Sequence, residues 1–233
     1  MYSEDLAYIH DAGFGDFAKR AAPELIRVLR TQHITSGRIV EMGSGSGILA
    51  RRLTDAGYEV IGIDRSPDMI GIARAKAPDA TFRVGSLTRA AIPRCRAVIA
   101  IGEVVSYVSA SLRPFFARVF DALASGGLFV FDFLESAEQR TYQRKSAEGR
   151  DWALISHAEV DAAGTTLTRR MTLLRKVDGK YRRTHETHHV RLRSCAEIRG
   201  ALEALGFSVT VRHSYGRYRL LPGDVAVIAK KQG

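Results

Sequence analysis

Gly43, Gly45 and Gly47 fall between a run of strand formers and a run of helix formers, in the stretch RIVEMGSGSGILARRL. A glycine adds no side chain to a core and loses the most backbone freedom on folding. Such a cluster marks either a tight strand-to-helix turn or backbone left bare for a ligand. At a helix start the free N–H groups also favour a polar or anionic ligand group. Asp64 ends the next strand-like run, YEVIGID, one strand and one helix further along. A carboxylate there can accept hydrogen bonds from both hydroxyls of a ribose. Its other reading is a helix cap before Pro67, but Ser66 is better placed for that role. Together the two features point to a ribose-bearing cofactor. The spacing GxGxG is not the GxGxxG of dinucleotide sites, because Ile48 stands where the third glycine would be, and there is no GK[ST] phosphate loop.

The elements that must position these residues alternate strand and helix. GDFAKRAAPELIRVLRTQ places Phe17, Ala21, Leu25, Val28 and Leu29 on one helical face. RIVEM, YEVIGID, ATFRV and RAVIAIG read as strands, with helices over SGILARRLTDAG, closed by Gly57, and SPDMIGIARAKAP. LRPFFARVFDALASGG reads as a helix ending in glycines, followed by the strand LFVFDF. Strands apolar on both faces, alternating with helices, predict an α/β fold with a parallel sheet covered on both sides. After about Ser136 the pattern becomes period two, with DAAG and DGK as turns, which predicts an antiparallel insertion. The α/β pattern returns with the helix CAEIRGALEALGF and two last strands, SVTVRHSYG and DVAVIAKK. Their short RYRLLPG linker suits an antiparallel hairpin. The expected division is a core of residues 1–135 and 194–233 with an insertion at 136–193.

The 233 residues are 45% hydrophobic and 26% charged, enough for one α/β domain with an insertion. The opening MYSEDLAYIH does not read as a signal peptide, and no stretch is long and apolar enough to span a bilayer. Cys95 and Cys195 are isolated, which fits a reduced, cytoplasmic setting and argues against a zinc site. The net charge of +10 admits either a nucleic-acid partner or a solvated basic surface. The absence of a long Lys/Arg block favours the second.

The stretch VEMGSGSG resembles the first motif of the class I S-adenosylmethionine-dependent methyltransferases, and the likeness extends through IGID, Gly85–Ser86, IGEVVSYV, GGLFVFDF and LEALGF with the terminal hairpin. The segments AYIHDAGFGDFA and ETHHVRLRS…ALEALGF are similar to a small-molecule subgroup in which an antiparallel insertion covers the acceptor. The resemblance implies a Rossmann-like seven-stranded sheet with a C-terminal antiparallel hairpin, S-adenosylmethionine (SAM) as cofactor, and methyl transfer to a small-molecule acceptor by in-line displacement. It implies that Gly43, Ser44, Gly45 and Gly47 carry the methionine part, Glu41 orients the loop, and Asp64 holds the ribose. Arg65 and Met69 would flank the adenine, Ser86 and Leu87 would meet its edge, and Ile101 and Gly102 would face the methionine end. Many relatives have Asp where this chain has Ser86, a neutral and weaker acceptor. Tyr8 and Phe14, from the opening segment, complete the expected cofactor set.

In-line transfer asks mainly for alignment, with a base where the acceptor must lose a proton. The expected candidates rimming the acceptor are Glu103, Tyr107, His189 and Arg191, with His10 at the N-terminal rim. Glu103 leads, because it directly follows the cofactor edge; its rival role is a structural ion pair. IGEVVSYV lacks the [DNS]PP[YFW] motif of base-nitrogen methylases. No metal is expected: Asp132 alone is slight evidence, and in THETHH the strand period sets His185 and His189 on one face and His188 on the other. The basic insertion, with Arg169, Arg170, Arg175, Lys176, Arg182 and Arg183, raises two options. One is an anionic small acceptor; the other is RNA, with an RNA-directed methyltransferase or RNA-binding protein as the alternative function.

Overall fold

A computed structural model describes residues 2–136 and 143–232. The main sheet comprises β1 (Arg38–Met42), β2 (Glu59–Asp64), β3 (Thr81–Val84), β4 (Cys95–Ala100), β5 (Leu123–Leu134), β10 (Phe207–Arg212) and β13 (Asp224–Lys231). Their order is β10-β13-β5-β4-β1-β2-β3, and β13 runs antiparallel to both its neighbours while the other pairs are parallel. Helices α2 (Asp16–Thr31), α3 (Ile48–Asp55) and α4 (Pro67–Lys76) cover one face, and α5 (Arg113–Ala122) and α6 (Cys195–Glu203) the other. That double cover explains why Val40, Met42, Ile61 and Ile63 on one face and Ile39, Val60 and Ile99 on the other are all buried, with no polar alternation along these strands. Chain reversal between β1 and β4, where β2 and β3 lie to one side, leaves a crevice at the carboxyl ends of the strands.

The structure departs from the sequence reading at β5. The expected helix runs on through Gly127, but α5 stops at Ala122 and the strand begins at Leu123, paired with Cys95. The register then shifts, and the next pair is Ala97 with Leu128. A Cβ on Gly127 would stand 2.8 Å from the Ala124 carbonyl oxygen, and Gly126 has φ +71°. These glycines shape a bulge, which from sequence looks like a helix terminus. Between β10 and β13 the linker also folds a small hairpin, β11 (Ser214–Tyr215) and β12 (Tyr218–Arg219), which buries Tyr215 completely.

The second sheet is antiparallel in the order β6 (Gln143–Glu148), β7 (Trp152–Val160), β8 (Thr166–Val177) and β9 (Lys180–Arg191). Asp178 and Gly179, at φ +50° and +80°, give the β8–β9 turn the doubly positive backbone that an Asp-Gly pair favours. Glu135 and Arg193 bridge where the chain leaves the main sheet and returns; residues 137–142 of the expected insertion lie outside the described residues.

Helix α1 (Glu4–Gly13) lies between the two sheets. Its Leu6 and Ile9 pack with Trp152, Leu154, Met171 and Leu173 of the second sheet. On the other side its Asp11 pairs with Lys76 of α4 and accepts from Ser46 of the glycine turn. Asp5, 3% exposed, accepts from Arg175 at 3.3 Å and from Arg182. Burial alone would raise this carboxyl, but the hydrogen bond and charge of Arg182, then Arg175, hold it below the ordinary value. A depressed carboxylate stabilises above its unfolded value and stops doing so as pH falls through the folded one. Asp5→Asn should therefore loosen α1 at neutral pH by about 1 kcal/mol. Amide exchange over residues 4–13 should rise several-fold, and the difference from wild type should begin to shrink as pH falls below 3.8 and vanish only once it has passed the lowered folded value. Equal exchange in both proteins at pH 7 would show that these charges do not dock the helix.

Candidate functional site

The glycine turn contains two kinds of glycine. Gly43, Gly45 and Gly47 all have positive φ, at +74°, +50° and +78°. A Cβ on Gly43 would lie 2.5 Å from both methyls of Val104, and one on Gly47 would lie 3.0 Å from Cα and Cβ of Ala73. Close packing requires those two. A Cβ on Gly45 would meet no heavy atom within 4 Å. Its N–H instead donates to Asp64 Oδ2 at 2.9 Å, while Asp64 Oδ1 accepts from the Ser66 N–H at 2.9 Å. The Ser66 hydroxyl accepts from the Met69 N–H and caps α4, with Pro67 in the first turn, as the sequence requires.

One buried acid and one half-buried acid face this turn. Glu41 is 3% exposed, and its Oε2 has no hydrogen-bond partner. Burial first, then the charge of Asp64, raises its carboxyl well above the ordinary range, against one N–H bond from Ala50. Burial also raises Asp64, opposed by the N–H groups of Ser66 and Gly45. The buried hydroxyl of Ser44 is likewise without a partner. An orphaned carboxylate oxygen, an open glycine and an acid at a strand end fit a ligand that brings positive charge and hydroxyls. SAM, with a sulfonium, an ammonium and a ribose, has that chemistry.

The next wall is the turn after β4. Asp132, 2% exposed on β5, accepts from the N–H groups of Gly102 and Glu103 and from the Tyr215 hydroxyl at 3.0 Å. Asp132 is thus a backbone anchor, and all of this network is protein. Burial pushes its carboxyl up to about 6, against those three bonds. The anchor holds Gly102 at φ +85° and Glu103 at φ +62°. Ile101 is buried just before them. A short 3-10 helix, Val104–Tyr107, follows and carries Tyr107 over the crevice. The Arg65 guanidinium lies 6.0 Å from the Tyr107 ring centre. Ser86 stands in a surface groove with Ile63 and Gly85, its hydroxyl 3.1 Å from Thr88 Oγ1. Leu87 packs on the core and its carbonyl accepts from Arg118.

Several expected residues stand elsewhere. Met69 is 2% exposed and packed into the core side of α4. Tyr8 turns away from the crevice: its hydroxyl donates to Asp151 at 2.7 Å and Arg175 stacks 4.1 Å over its ring. Phe14 is an exposed rim residue 6.0 Å from Trp152. His10 is held below its ordinary value by burial and lies edge-on to Tyr2 at 5.4 Å. His189 and Arg191 are on the exposed outer face of β9, with His189 3.2 Å from Thr168 Oγ1. The inner face of β9 presents Glu186, His188 and Val190.

The structure also brings in residues that the sequence reading did not select. His188 is 4% exposed, with Nδ1 3.4 Å from the Tyr107 hydroxyl and Nε2 2.8 Å from Glu186 Oε2. Arg169 of β8 reaches Glu103 Oε2 and the Tyr107 hydroxyl, each at 3.4 Å. Tyr2 packs on His188 at 5.4 Å, and its carbonyl accepts from the Ser66 hydroxyl. The strand period already separates His188 from His189; it does not say which face looks inward. Four of the six basic residues considered for RNA are paired with acids: Arg169 with Glu103, Arg170 with Glu159, and Arg175 and Arg182 with Glu4 and Asp5.

Residues 39–127 match the family described as a methyltransferase domain. A dTDP-3-amino-3,4,6-trideoxy-alpha-D-glucopyranose N,N-dimethyltransferase of Streptomyces venezuelae is 24% identical, over 90% of this chain and 92% of that one. A trans-aconitate 2-methyltransferase of Methylobacterium radiotolerans is 30% identical over 60% of this chain and 54% of its own. A solved S-adenosylmethionine-dependent methyltransferase of Clostridium acetobutylicum superposes with TM-score 0.84 at 15% identity, covering 97% of this chain and 98% of that chain.

Proposed function

This chain is an S-adenosylmethionine-dependent methyltransferase of the class I fold, and from that premise we propose that it methylates the amino group of a small, hydroxylated, sugar-like acceptor. The observation that carries the reading is Glu103. Its backbone is fixed by Asp132 at the edge of the crevice, and its carboxylate lies beside Tyr107 under the second sheet. A carboxylate there can hold an ammonium, and the sugar N,N-dimethyltransferase of S. venezuelae is similar over nearly its whole length.

Gly45, Glu41, Asp64, Arg65, Ser86 and Gly102 would hold the cofactor, and once bound it supplies an activated methyl group. The protein's part is to align the acceptor nitrogen in line with that methyl, exclude water and take a proton. Residues 136–193 with α1 would form the acceptor-side cover, and the remaining helices and main sheet the cofactor side. An anionic acceptor is less favoured, since Arg175 and Arg182 already face Glu4 and Asp5. The same pairing weakens the RNA reading.

Two measurements test this. Asp64→Ala removes a two-point carboxylate contact, so SAM affinity by calorimetry should fall by roughly 2 kcal/mol, about 30-fold. Unchanged affinity with the fold intact would remove Asp64 from the site. Transfer from labelled SAM should proceed to dTDP-3-amino-3,4,6-trideoxy-glucopyranose and not to trans-aconitate. The reverse preference would replace an amine acceptor by a carboxylate.

A further inference from the structure

We propose that Tyr107 takes the acceptor's proton during methyl transfer, and that His188 and Glu186 behind it receive and neutralise that proton. The inference rests on the amine reading above and assigns its proton path. Glu186 is fixed first: Oε1 accepts from the Ser3 N–H at 2.9 Å and from the Ser3 hydroxyl at 2.5 Å. Its Oε2 is left for His188 Nε2 at 2.8 Å. An ionised carboxylate only accepts, so Nε2 carries the hydrogen, and in the neutral imidazole Nδ1 is then the free acceptor. Nδ1 faces the Tyr107 hydroxyl at 3.4 Å. The carboxylate, imidazole and phenol thus form one chain, leading from a buried end toward the crevice.

The surroundings favour negative charge on the phenol when a proton leaves. Arg169 Nη1 lies 3.4 Å from the Tyr107 oxygen, and the Arg65 guanidinium stands over its ring. Tyr2 also hydrogen-bonds to Tyr107. Glu103 opposes, and is itself paired with Arg169. Among the described residues these four, with Glu186 and His188, are the titratable and charged groups that face the phenol from α1's leading segment, the turn after β2, the turn after β4, β8 and β9. Burial raises the phenol at rest, with Arg169 next and opposing. The neutral phenol therefore waits for a partner that takes its proton, which is what His188 Nδ1 offers.

The step balances as follows. An acceptor ammonium gives one proton to the Tyr107 oxygen as the phenol's own proton passes to His188 Nδ1. The freed nitrogen lone pair forms the bond to the methyl carbon. The bond from that carbon to sulfur breaks, and its electron pair stays on sulfur. The proton on His188, neutralised by Glu186, leaves to water after the product departs. Tyr107 is the catalytic residue, and His188 and Glu186 act through it.

The test uses the full chain with the dTDP-amino sugar named above. Tyr107→Phe and His188→Gln should bind SAM within about threefold of wild type. Their transfer rate at pH 7 should fall on the order of 100-fold. The loss should shrink toward about tenfold or less near pH 9.5, where water deprotonates the amine without help. Glu186→Gln should show a smaller loss with the same pH recovery. A loss of equal factor at every pH would mean packing, and would overturn the proposal. Nitrogen NMR of histidine-labelled wild type, assigned with His188→Gln, needs neither cofactor nor acceptor. It should find His188 neutral with the hydrogen on Nε2; a hydrogen on Nδ1 would overturn the relay. If wild type transfers to no amine probe, the acceptor reading fails, and the NMR result still decides the relay separately.

Discussion

Gly45→Ala should weaken cofactor binding in a protein that remains as stable as its backbone strain allows, whereas Gly43→Ala should weaken the fold itself. Both positions are left-handed, so each alanine carries about 1 kcal/mol of backbone strain. At Gly45 the added methyl meets no protein atom within 4 Å, so nothing more is lost in the free protein. It projects into the space beside Asp64 and Glu41, where overpacking against a bound ligand costs roughly 1–3 kcal/mol more. SAM affinity should therefore fall by roughly 5- to 150-fold. At Gly43 the methyl would stand 2.5 Å from both methyls of Val104, the first residue of the 3-10 helix that carries Tyr107. Strain and overpacking together should destabilise by about 3 kcal/mol. Urea unfolding and calorimetric titration of both variants check the pair. Equal loss of stability in the two, or SAM binding retained by Gly45→Ala, would mean the space beside Gly45 is not the ligand's.

The second large effect is a pH dependence centred on Asp132. Its carboxyl ionises at about 6 in the folded protein and near 3.8 when exposed. A raised folded value means that its neutral form contributes stability below 3.8, and that this is lost as pH rises through about 6. Two pKa units correspond to about 3 kcal/mol. Asp132→Asn has no such titration and lacks one acceptor for the Gly102 and Glu103 N–H groups. The stability advantage of wild type over this variant should be greatest below pH 3.8 and shrink by about 3 kcal/mol by pH 7. Taking the difference cancels the other acids, Glu41 and Asp64 among them. Parallel curves for the two proteins from pH 4 to 7 would show that Asp132 is ionised at ordinary acidity despite its burial.

Much of the cofactor side is legible in the sequence, because it is built from local rules. The glycine turn GSGSG directly follows the first strand, Asp64 ends the next strand, and Ser66 and Pro67 start the helix behind it. Each depends on backbone conformation and near neighbours. Where the local rule was ambiguous the reading failed: Gly126 and Gly127 look like a helix end, and only the pairing of Leu123 with Cys95 makes them a bulge.

The acceptor side was decided by tertiary structure. Alternation in THETHH fixes that His188 opposes His185 and His189, a property of any extended chain. Which face looks inward depends on how the second sheet lies over α1 and the crevice, and that is set by contacts more than sixty residues apart in sequence. Ser3 with Glu186, Asp5 with Arg182 and Glu103 with Arg169 are such contacts. The sequence therefore determined the sheet, its glycine turn and the class of cofactor, through short-range backbone preferences and strand periods. The tertiary structure decided which histidine is buried and which acids neutralise the basic strands. Charge and burial are properties of neighbours, and those neighbours come together only when the two sheets close on helix α1.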